Sequence, residues 1–130
     1  MEIKEGGVTS AKGFRAASVC AGFKKGRKDM SMIVSEVPFH LAGTFTTNLV
    51  KAAPVIWDRA IVQTKGTAQA VVMNSGVANA CTGKAGDETC AETAAYAASR
   101  LGLSPDQILL ASTGVIGVSL RWTRSGMALT

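Results

Sequence analysis

The segment that most restricts the fold of this chain is rich in alanine and runs from residue 87 to residue 101. Asp87 can cap the start of a helix there, Arg100 lies near its carboxyl end, and Gly102 follows at a position typical of helix termination. The apolar positions recur at the spacing of one helix face, and nearly all of them are small: Cys90, Ala91, Ala94, Ala95, Ala98 and Leu101. The whole chain has 20 alanines and 14 glycines but only 5% aromatic residues. Its core must therefore form from small side chains between closely spaced backbones.

Short β-branched and apolar segments before this helix predict several strands. The first two cover residues 14–20 and 30–35, with a turn between them, and Pro38 is expected to end the second. Two more are predicted at residues 45–50 and 68–73, the latter stopped by Asn74, Ser75 and Gly76. Residues 54–57 form a short apolar segment between them, after which Asp58 and Arg59 return to solvent.

The helix is followed by a second start signal and by one more strand. Ser104, Pro105 and Gln107 occupy the cap, first and third positions of a turn. Residues 108–111 are a buried strand candidate that continues into residues 112–117. Strands dominate the first half, and a strand, helix and strand follow in the second. This order predicts an α/β fold, in which a mixed sheet carries packed helices.

Size, charge and cysteine content exclude several classes of protein. The 130 residues suit one domain, and no apolar run is long enough to cross a membrane. The net charge of +5 arises largely at residues 24–28, where no aromatic residue is interleaved. We therefore interpret this basic cluster as a solvated turn and expect no nucleic-acid partner. Three cysteines are too few, and too odd in number, for a disulfide scaffold, which favours a reducing, cytoplasmic location.

Three generic catalytic or binding motifs fail on inspection. Residues 76–85 are similar to a phosphate-binding loop, but alanine stands at position 78 instead of the first glycine and at position 85 instead of the hydroxyl residue. His40 is the single histidine and has apolar neighbours, which is more typical of a structural residue than of a catalytic base. The spacings of His40 and the three cysteines match no zinc site, so we expect no metal.

Two loops remain as candidate sites. Residues 74–83 follow a buried strand and precede the helix, where α/β proteins often bind ligands. The alternative for this loop is a tight structural turn whose small residues fit beneath a neighbouring element. The second loop, residues 112–117, contains Thr113 beside Gly114. A threonine hydroxyl and a glycine amide can present two hydrogen-bond donors to a developing negative oxygen, although such pairs are common in ordinary turns.

Four groups of residues, occurring in order, resemble the ornithine acetyltransferase family. These are the bifunctional glutamate N-acetyltransferases of arginine biosynthesis, and the resemblance is to the N-terminal part of their α chain. It covers almost everything from Gly7 to Val118. Its residues are Gly-Val-Thr at 7–9 with Lys-Gly-Phe-Arg-Ala at 12–16, Phe-Thr-Thr-Asn at 45–48 with Val-Lys-Ala-Ala-Pro-Val at 50–55, Asn-Ser-Gly-Val-Ala-Asn-Ala-Cys-Thr-Gly at 74–83, and Ala-Ser-Thr-Gly-Val-Ile-Gly at 111–117.

The resemblance implies an activity that composition and spacing do not show. Members of the family are precursors that cleave themselves into an α and a β chain, and the new N-terminal threonine of the β chain is the nucleophile. It takes acetyl from N-acetylornithine and passes it to glutamate, so no cofactor is implied, although acetyl-CoA is a donor substrate for some members. The family's oxyanion hole maps onto Thr113 and Gly114. The implied partner is the β chain, in an α2β2 assembly.

The resemblance also divides the chain at residue 118. Residues 1–118 are predicted to be an α-chain segment, and residues 119–130 a divergent tail whose final Thr130 only coincidentally resembles a cleavage site. The fold is expected to be incomplete relative to the family. Because the nucleophile is absent, we expect the isolated chain to be inactive. The alternative hypothesis is a non-enzymatic truncated remnant or interaction module.

Overall fold

The computed structural model describes residues 5–118 and residue 120. A four-stranded sheet forms one layer and two α-helices form the other. In chain order the main elements are β1 (Phe14–Val19), β2 (Met30–His40), α1 (Ala53–Thr64), β3 (Thr67–Val77), α2 (Gly83–Leu101) and β4 (Ile108–Val115). Short 3-10 helices occur at Val8–Ser10 and Pro105–Gln107. Neither described α-helix is long and apolar enough to cross a membrane.

The sheet is mixed, as the sequence predicts. Its strand order follows the chain, β1-β2-β3-β4, and the first two pairings are antiparallel. β3 and β4 are parallel, because α2 carries the chain back across the sheet between them. The α/β fold class with helices packed on a mixed sheet is therefore confirmed.

Small side chains build the core between α2 and the sheet. Ala94, Ala97 and Ala98 of α2 are buried in one cluster with Ala70 of β3 and Ile108 of β4. A methyl side chain lets the helix backbone approach the strands closely. The van der Waals contacts made at that short distance take the place of those that large side chains would make. The core therefore forms with few bulky residues, and Ile108 is the largest side chain that is fully buried among the described residues.

The predicted helix face is partly wrong, because α2 begins earlier and its buried face is rotated. Cys90, Ala94 and Ala98 are buried as predicted, but Ala91 and Ala95 are exposed. The residues of α2 that are buried are Gly86, Cys90, Ala94, Ala97 and Ala98. Asp87 is not the cap, since the helix starts at Gly83. Gly102 does end it in the left-handed conformation, with φ of 68°.

The segment 45–50 is not a strand, although its residues have high β propensity. The backbone N–H of Asn48 donates to the Thr46 hydroxyl over 3.1 Å, and that of Val50 donates to Asn48 Oδ1 over 3.0 Å. These local hydrogen bonds replace ladder bonds, which is how threonine and asparagine compete with regular structure. The apolar segment that follows, residues 54–57, belongs to the first turns of α1, a helix that the sequence pattern does not predict.

Two strands extend beyond their predicted ends. β2 passes through Pro38 to His40, because its register with β3 shifts between Val34 and Phe39, and an irregularity tolerates a residue without an N–H. β3 continues through Asn74 to Val77, because parallel pairing with β4 reaches that far. His40, at the end of β2, is exposed.

The basic segment 24–28 is a solvent-exposed turn between β1 and β2, as predicted. It is organised from within by the buried Asp29, whose carboxylate accepts hydrogen bonds from the backbone N–H of Ala21 (2.5 Å) and of Lys24 (2.6 Å). Burial acts to raise the pKa of Asp29, but the backbone donors outweigh it and hold that pKa below its usual value. The turn that carries the positive side chains is therefore held by an ionised internal carboxylate.

Two side chains of α1 hold the outer edge of β4. Trp57 Nε1 donates to the carbonyl of Ile108 over 2.9 Å, and the backbone N–H of Leu110 donates to Asp58 Oδ1 over 2.9 Å. Both backbone groups are on the side of β4 opposite β3, so α1 pairs an edge that would otherwise be open. Burial raises the pKa of Asp58 to about 6, although the Leu110 N–H lowers it in part.

We predict that Asp58→Asn stabilises the chain at neutral pH. The pKa of Asp58 is about 6 in the fold against an ordinary 3.8, so the fold favours the protonated carboxyl. The stabilisation that results is complete below pH 3.8 and is lost as the pH rises through 6, where the buried carboxyl becomes charged. Asparagine keeps an acceptor for the Leu110 N–H without the charge. After discounting for partial solvent exposure, we expect a gain of about 1 kcal/mol at pH 7.5 and less at pH 4.5, measured by urea unfolding.

The control for this prediction is Asp106→Asn. Asp106 forms an ion pair with Lys65, and the hydrogen bonds from Lys65 and Ser104 lower its pKa, so the same change there should not stabilise. An equal gain from Asp58→Asn at both pH values would show that charge burial is not its cause.

Candidate functional site

The two candidate loops meet at the carboxyl edge of the parallel strands. The Ser112 hydroxyl of β4 donates to the carbonyl of Val77 over 3.2 Å and accepts the backbone N–H of Asn79 over 2.9 Å. The backbone N–H of Ala78 donates to the carbonyl of Val115 over 2.9 Å. The segments 74–83 and 112–117 are therefore one structural unit, which sequence separation alone does not reveal.

Glycine is required where the two strands approach most closely. Gly76 and Gly114 are paired in register and have φ of 114° and 136°, a region that residues with side chains rarely adopt. A Cβ on Gly114 would lie 2.5 Å from the Gly76 carbonyl oxygen and 2.6 Å from the Val77 nitrogen. A Cβ on Gly76 would lie 3.1 Å from Cβ of Phe23, in the β1–β2 turn. Three backbone segments thus converge beside Thr113.

Thr113 and Gly114 are both exposed at this edge. Among the residues that the structure describes, the Thr113 hydroxyl has no hydrogen-bond partner. The carbonyl of Val115 faces β3, whereas the N–H of Leu110 faces α1. Because backbone groups alternate in direction along a strand, the Gly114 N–H is expected to face the outer edge, as that of Leu110 does. A hydroxyl and an amide are thus adjacent and open to a ligand.

Beneath this pair, the loop 74–83 is held by Asn79, whose exposed fraction is only 3%. Its Nδ2 donates to the Gly86 carbonyl over 2.9 Å and to Cys90 Sγ over 3.3 Å, and its Oδ1 accepts the Thr82 hydroxyl over 2.6 Å. With its side-chain atoms bonded inside the protein, Asn79 has little left to offer a ligand. The contacts therefore favour the structural alternative for this loop.

Gly86 makes that arrangement possible. A Cβ there would lie 2.5 Å from Asn79 Oδ1 and would also overlap the Thr82 side chain. The small residue thus lets the loop lie directly against the first turn of α2. The sequence alone does not single out Asn79 as the residue that holds this loop. Its one signal is that a polar residue stands between alanines at positions 78 and 80, in a segment whose small apolar residues indicate burial.

The cysteines have different environments, and none of the three forms a disulfide. Burial, followed by the charge of Asp87, raises the pKa of the Cys90 thiol to about 11, so it stays protonated at neutral pH. Cys20 and Cys81 are exposed, and Cys81 adopts the left-handed conformation with φ of 56°. Within residues 5–118 and 120, no group of three or more histidine, cysteine or acidic residues is placed to hold a metal ion.

Exposed apolar side chains follow the open pair along the chain, and others precede α1. α1 runs antiparallel to β4, because Lys65 at its end pairs with Asp106 before β4, while Asp58 contacts Leu110 further along that strand. The N-terminal end of α1 therefore points towards the carboxyl end of β4, and Leu49, four residues before α1, is 95% exposed. We call the following residues the apolar rim: Leu49, Val50, Val115, Ile116 and Val118.

The fold and this edge define a class of protein: an α/β protein with open polar groups at the carboxyl ends of parallel strands, where enzymes of this class bind small molecules. The family follows from comparison with known proteins. A model of the ArgJ family matches residues 15–129, and the chain belongs to that family. The resemblance stated from the sequence is thereby confirmed.

Curated relatives carry the name arginine biosynthesis bifunctional protein ArgJ. The protein from Gloeobacter violaceus is 56% identical over 117 residues, which are 89% of this chain and 29% of the relative. That from Thermosynechococcus vestitus is 51% identical over 125 residues, 95% of this chain and 30% of the relative. The chain thus spans about 30% of the length of these relatives, whose common role is arginine biosynthesis.

Solved structures of the family share the fold. The ArgJ protein of Bacillus halodurans superposes with a TM-score of 0.85 at 43% identity, covering 88% of this chain and 60% of that one. Ornithine acetyltransferase of Mycobacterium tuberculosis, solved with ornithine bound, gives 0.83 at 44% identity and covers 88% and 62%. The match to only part of each structure agrees with the expectation that the fold is incomplete relative to the family.

The proposed division at residue 118 stays a prediction. The family match extends past it, to residue 129. Residue 119 and residues 121–130, which include Thr130, lie outside the residues that the structure describes. The boundary between segment and tail therefore rests on the sequence resemblance alone.

We predict that Gly114→Ala destabilises the chain much more than Gly117→Ala. Both glycines have positive φ, at 136° and 92°, so both substitutions strain the backbone by about 1–2 kcal/mol. At Gly114 the new methyl would also overlap Gly76 and Val77, whereas at Gly117 no atom lies within 4 Å. Thermal unfolding should show a loss at Gly114 larger by about 2 kcal/mol or more. Equal losses would mean that the β3–β4 contact is looser than described.

Proposed function

We propose that this chain is the α-chain part of a glutamate N-acetyltransferase that transfers acetyl from N-acetylornithine to glutamate, with Thr113 and Gly114 as its oxyanion hole. The observation that carries the proposal is the Thr113 hydroxyl, which has no partner in the described residues and stands beside a glycine amide at an open strand edge. Membership of the ArgJ family supports the reaction class. The ornithine bound to the relative from Mycobacterium tuberculosis supports the substrate class.

The proposed nucleophile is the N-terminal threonine of a β chain, outside the 130 residues of this sequence. A β-chain N-terminal threonine adds its hydroxyl oxygen to the acetyl carbonyl, and its own amine takes the hydroxyl proton. The carbonyl oxygen becomes negative and accepts hydrogen bonds from Thr113 and Gly114. When the tetrahedral intermediate collapses, the C–N bond breaks, ornithine leaves with the proton from the amine, and an acetyl ester remains.

The second half of the reaction reverses these roles. The amino group of glutamate attacks the ester carbonyl, and the same two donors stabilise the new oxyanion. The acyl C–O bond then breaks, the terminal amine passes the proton lost by the attacking nitrogen to the threonine oxygen, and N-acetylglutamate leaves. One donor of this kind contributes about 2.7–4 kcal/mol to transition-state stabilisation. Acetyl-CoA can serve in this scheme as an alternative acetyl donor in the first half, and no cofactor or metal is needed.

The proposed partner is the β chain of the same precursor, in an α2β2 assembly in the cytoplasm. The apolar rim supports a partner at this edge, because Val115, Ile116 and Val118 are exposed together directly after the proposed donors, and such groups of apolar side chains are typical of surfaces that another segment covers. The alternative, a non-enzymatic remnant or interaction module, would keep the same rim. A measurement of activity therefore has to separate the two.

We predict that Thr113→Ala lowers acetyl transfer in a completed enzyme. Residues 15–118 of this chain would replace the aligned segment of the Gloeobacter violaceus relative, and ornithine release from N-acetylornithine would be followed with glutamate present. Loss of one oxyanion donor should reduce kcat by about 10²–10³. Thr113→Ser keeps the hydroxyl and should retain most of the rate, with the unmodified relative assayed in parallel. Unchanged turnover in Thr113→Ala would remove Thr113 from the oxyanion hole.

We further predict that the isolated 130-residue chain does not transfer acetyl. It has the two proposed donors but no N-terminal threonine nucleophile. The same assay with the purified chain checks this, and the chimera is its positive control. Acetyl transfer by the isolated chain would contradict the proposed division of labour, and an inactive chimera would favour the non-enzymatic alternative.

A further inference from the structure

The residue immediately before the proposed oxyanion pair is tied into the loop beneath it. Ser112 shares a sheet face with Ile108 and Leu110, and its hydroxyl both donates to Val77 and accepts from Asn79. Thr113 follows on the opposite face, in register with Ser75. One side chain thus connects the last residues of β4 to the segment that leaves β3.

We propose that Ser112, through its hydrogen bond to Asn79, is a positioning residue that holds Thr113 and Gly114 in place for acetyl transfer. The inference rests on the proposed function, and it adds residues that touch neither substrate nor nucleophile. Asn79 is itself fixed by Gly86 and Cys90 of α2 and by Thr82. A continuous set of hydrogen bonds therefore runs from the first turns of α2 to Ser112, the residue before Thr113.

The effect of losing the Ser112 hydroxyl is expected to be local. The Val77 carbonyl would keep a second donor, because Asn74 Nδ2 binds it over 2.7 Å. The Asn79 N–H, in a residue that is 3% exposed, would have no acceptor left. A buried unpaired donor is costly, so the loop 77–79 would shift to find another partner or admit water.

Such a shift would reach Gly114 through the backbone contact already described. Gly114 rests directly against Gly76 and Val77, with no room for a methyl group between them. A displacement of Val77 therefore displaces Gly114. Donors to an oxyanion act at about 2.7–3.1 Å, so a movement of a few tenths of an ångström weakens them in the transition state.

The first measurement uses the chimera and separates kcat from KM. Ser112→Ala should lower kcat by about ten-fold to a hundred-fold, with the KM for N-acetylornithine nearly unchanged, because misplaced donors affect the transition state more than substrate binding. Ser112→Thr restores the hydroxyl and should recover most of kcat. The matched control is Ser99→Ala, which removes a serine bond to the Tyr96 carbonyl on the exposed side of α2 and should leave kcat unchanged.

The second measurement uses the 130-residue chain and needs no activity. In Ser112→Ala, hydrogen exchange at the amides of Ala78 and Asn79 should become about ten-fold faster, while the amides of the buried residues Ala94, Ala97 and Ala98 of α2 stay protected. Faster exchange throughout the chain would reduce Ser112 to a general contributor to stability and would overturn the proposal.

The outcomes distinguish this inference from the function on which it rests. An active chimera in which Ser112→Ala retains full kcat overturns the positioning role alone. An inactive chimera with Ser112 intact overturns the proposed function, and the positioning role falls with it. An active chimera with reduced kcat, rescue by threonine and local exchange at Ala78 and Asn79 is the expected result.

Discussion

The parallel contact of β3 with β4 is the constraint on which the rest of the structure depends. Parallel neighbours need a long crossover connection, and α2 supplies it, packing its alanines onto the two strands that it joins. The same pairing brings both carboxyl ends to one edge, so residues distant in sequence become neighbours there. At the end of the pairing Gly76 and Gly114 meet with no room for a side chain. The candidate site thus arises where the strands approach most closely.

The outer edge of β4 is paired with α1 near its start and is open near its end. Trp57 and Asp58 of α1 satisfy the groups of Ile108 and Leu110, as the covering of an edge strand requires. Because α1 runs antiparallel to β4, only its first turn lies beyond Leu110, and no side chain of that turn donates to or accepts from the β4 backbone. Thr113 and Gly114 therefore stay open because α1 starts where it does. The position at which α1 begins therefore determines which part of the β4 edge is paired with the helix and which part is available to a ligand.

Local patterns predicted the fold well where one physical effect dominated. β1, the core of β3, β4 and the end of α2 at Gly102 followed from apolar runs and a left-handed glycine. The segment 45–50 failed because Thr46 and Asn48 bond the local backbone, an option that β propensity ignores. α1 was missed because its apolar residues run consecutively from Ala53 to Trp57 and so do not mark one helix face, and its partners lie some 50 positions away at Ile108 and Leu110. Thr113 and Gly114 were named from the sequence, but the role of Asn79 depends on contacts that no local pattern contains.

The open donor pair and the apolar rim are both explained by one event, the covering of this edge by another segment. In water, the Thr113 hydroxyl and the Gly114 amide lose little by having no protein partner, because solvent satisfies them. In water they would also stabilise an oxyanion only weakly, since a high dielectric screens the interaction. Exposed apolar side chains such as Val115 and Ile116, which follow the pair directly in the chain, lose their contact with water only when another segment covers them. That same covering would remove water from around the donors and strengthen their hydrogen bonds to a developing charge. We therefore expect the two donors to stabilise an oxyanion effectively only when another segment covers this edge.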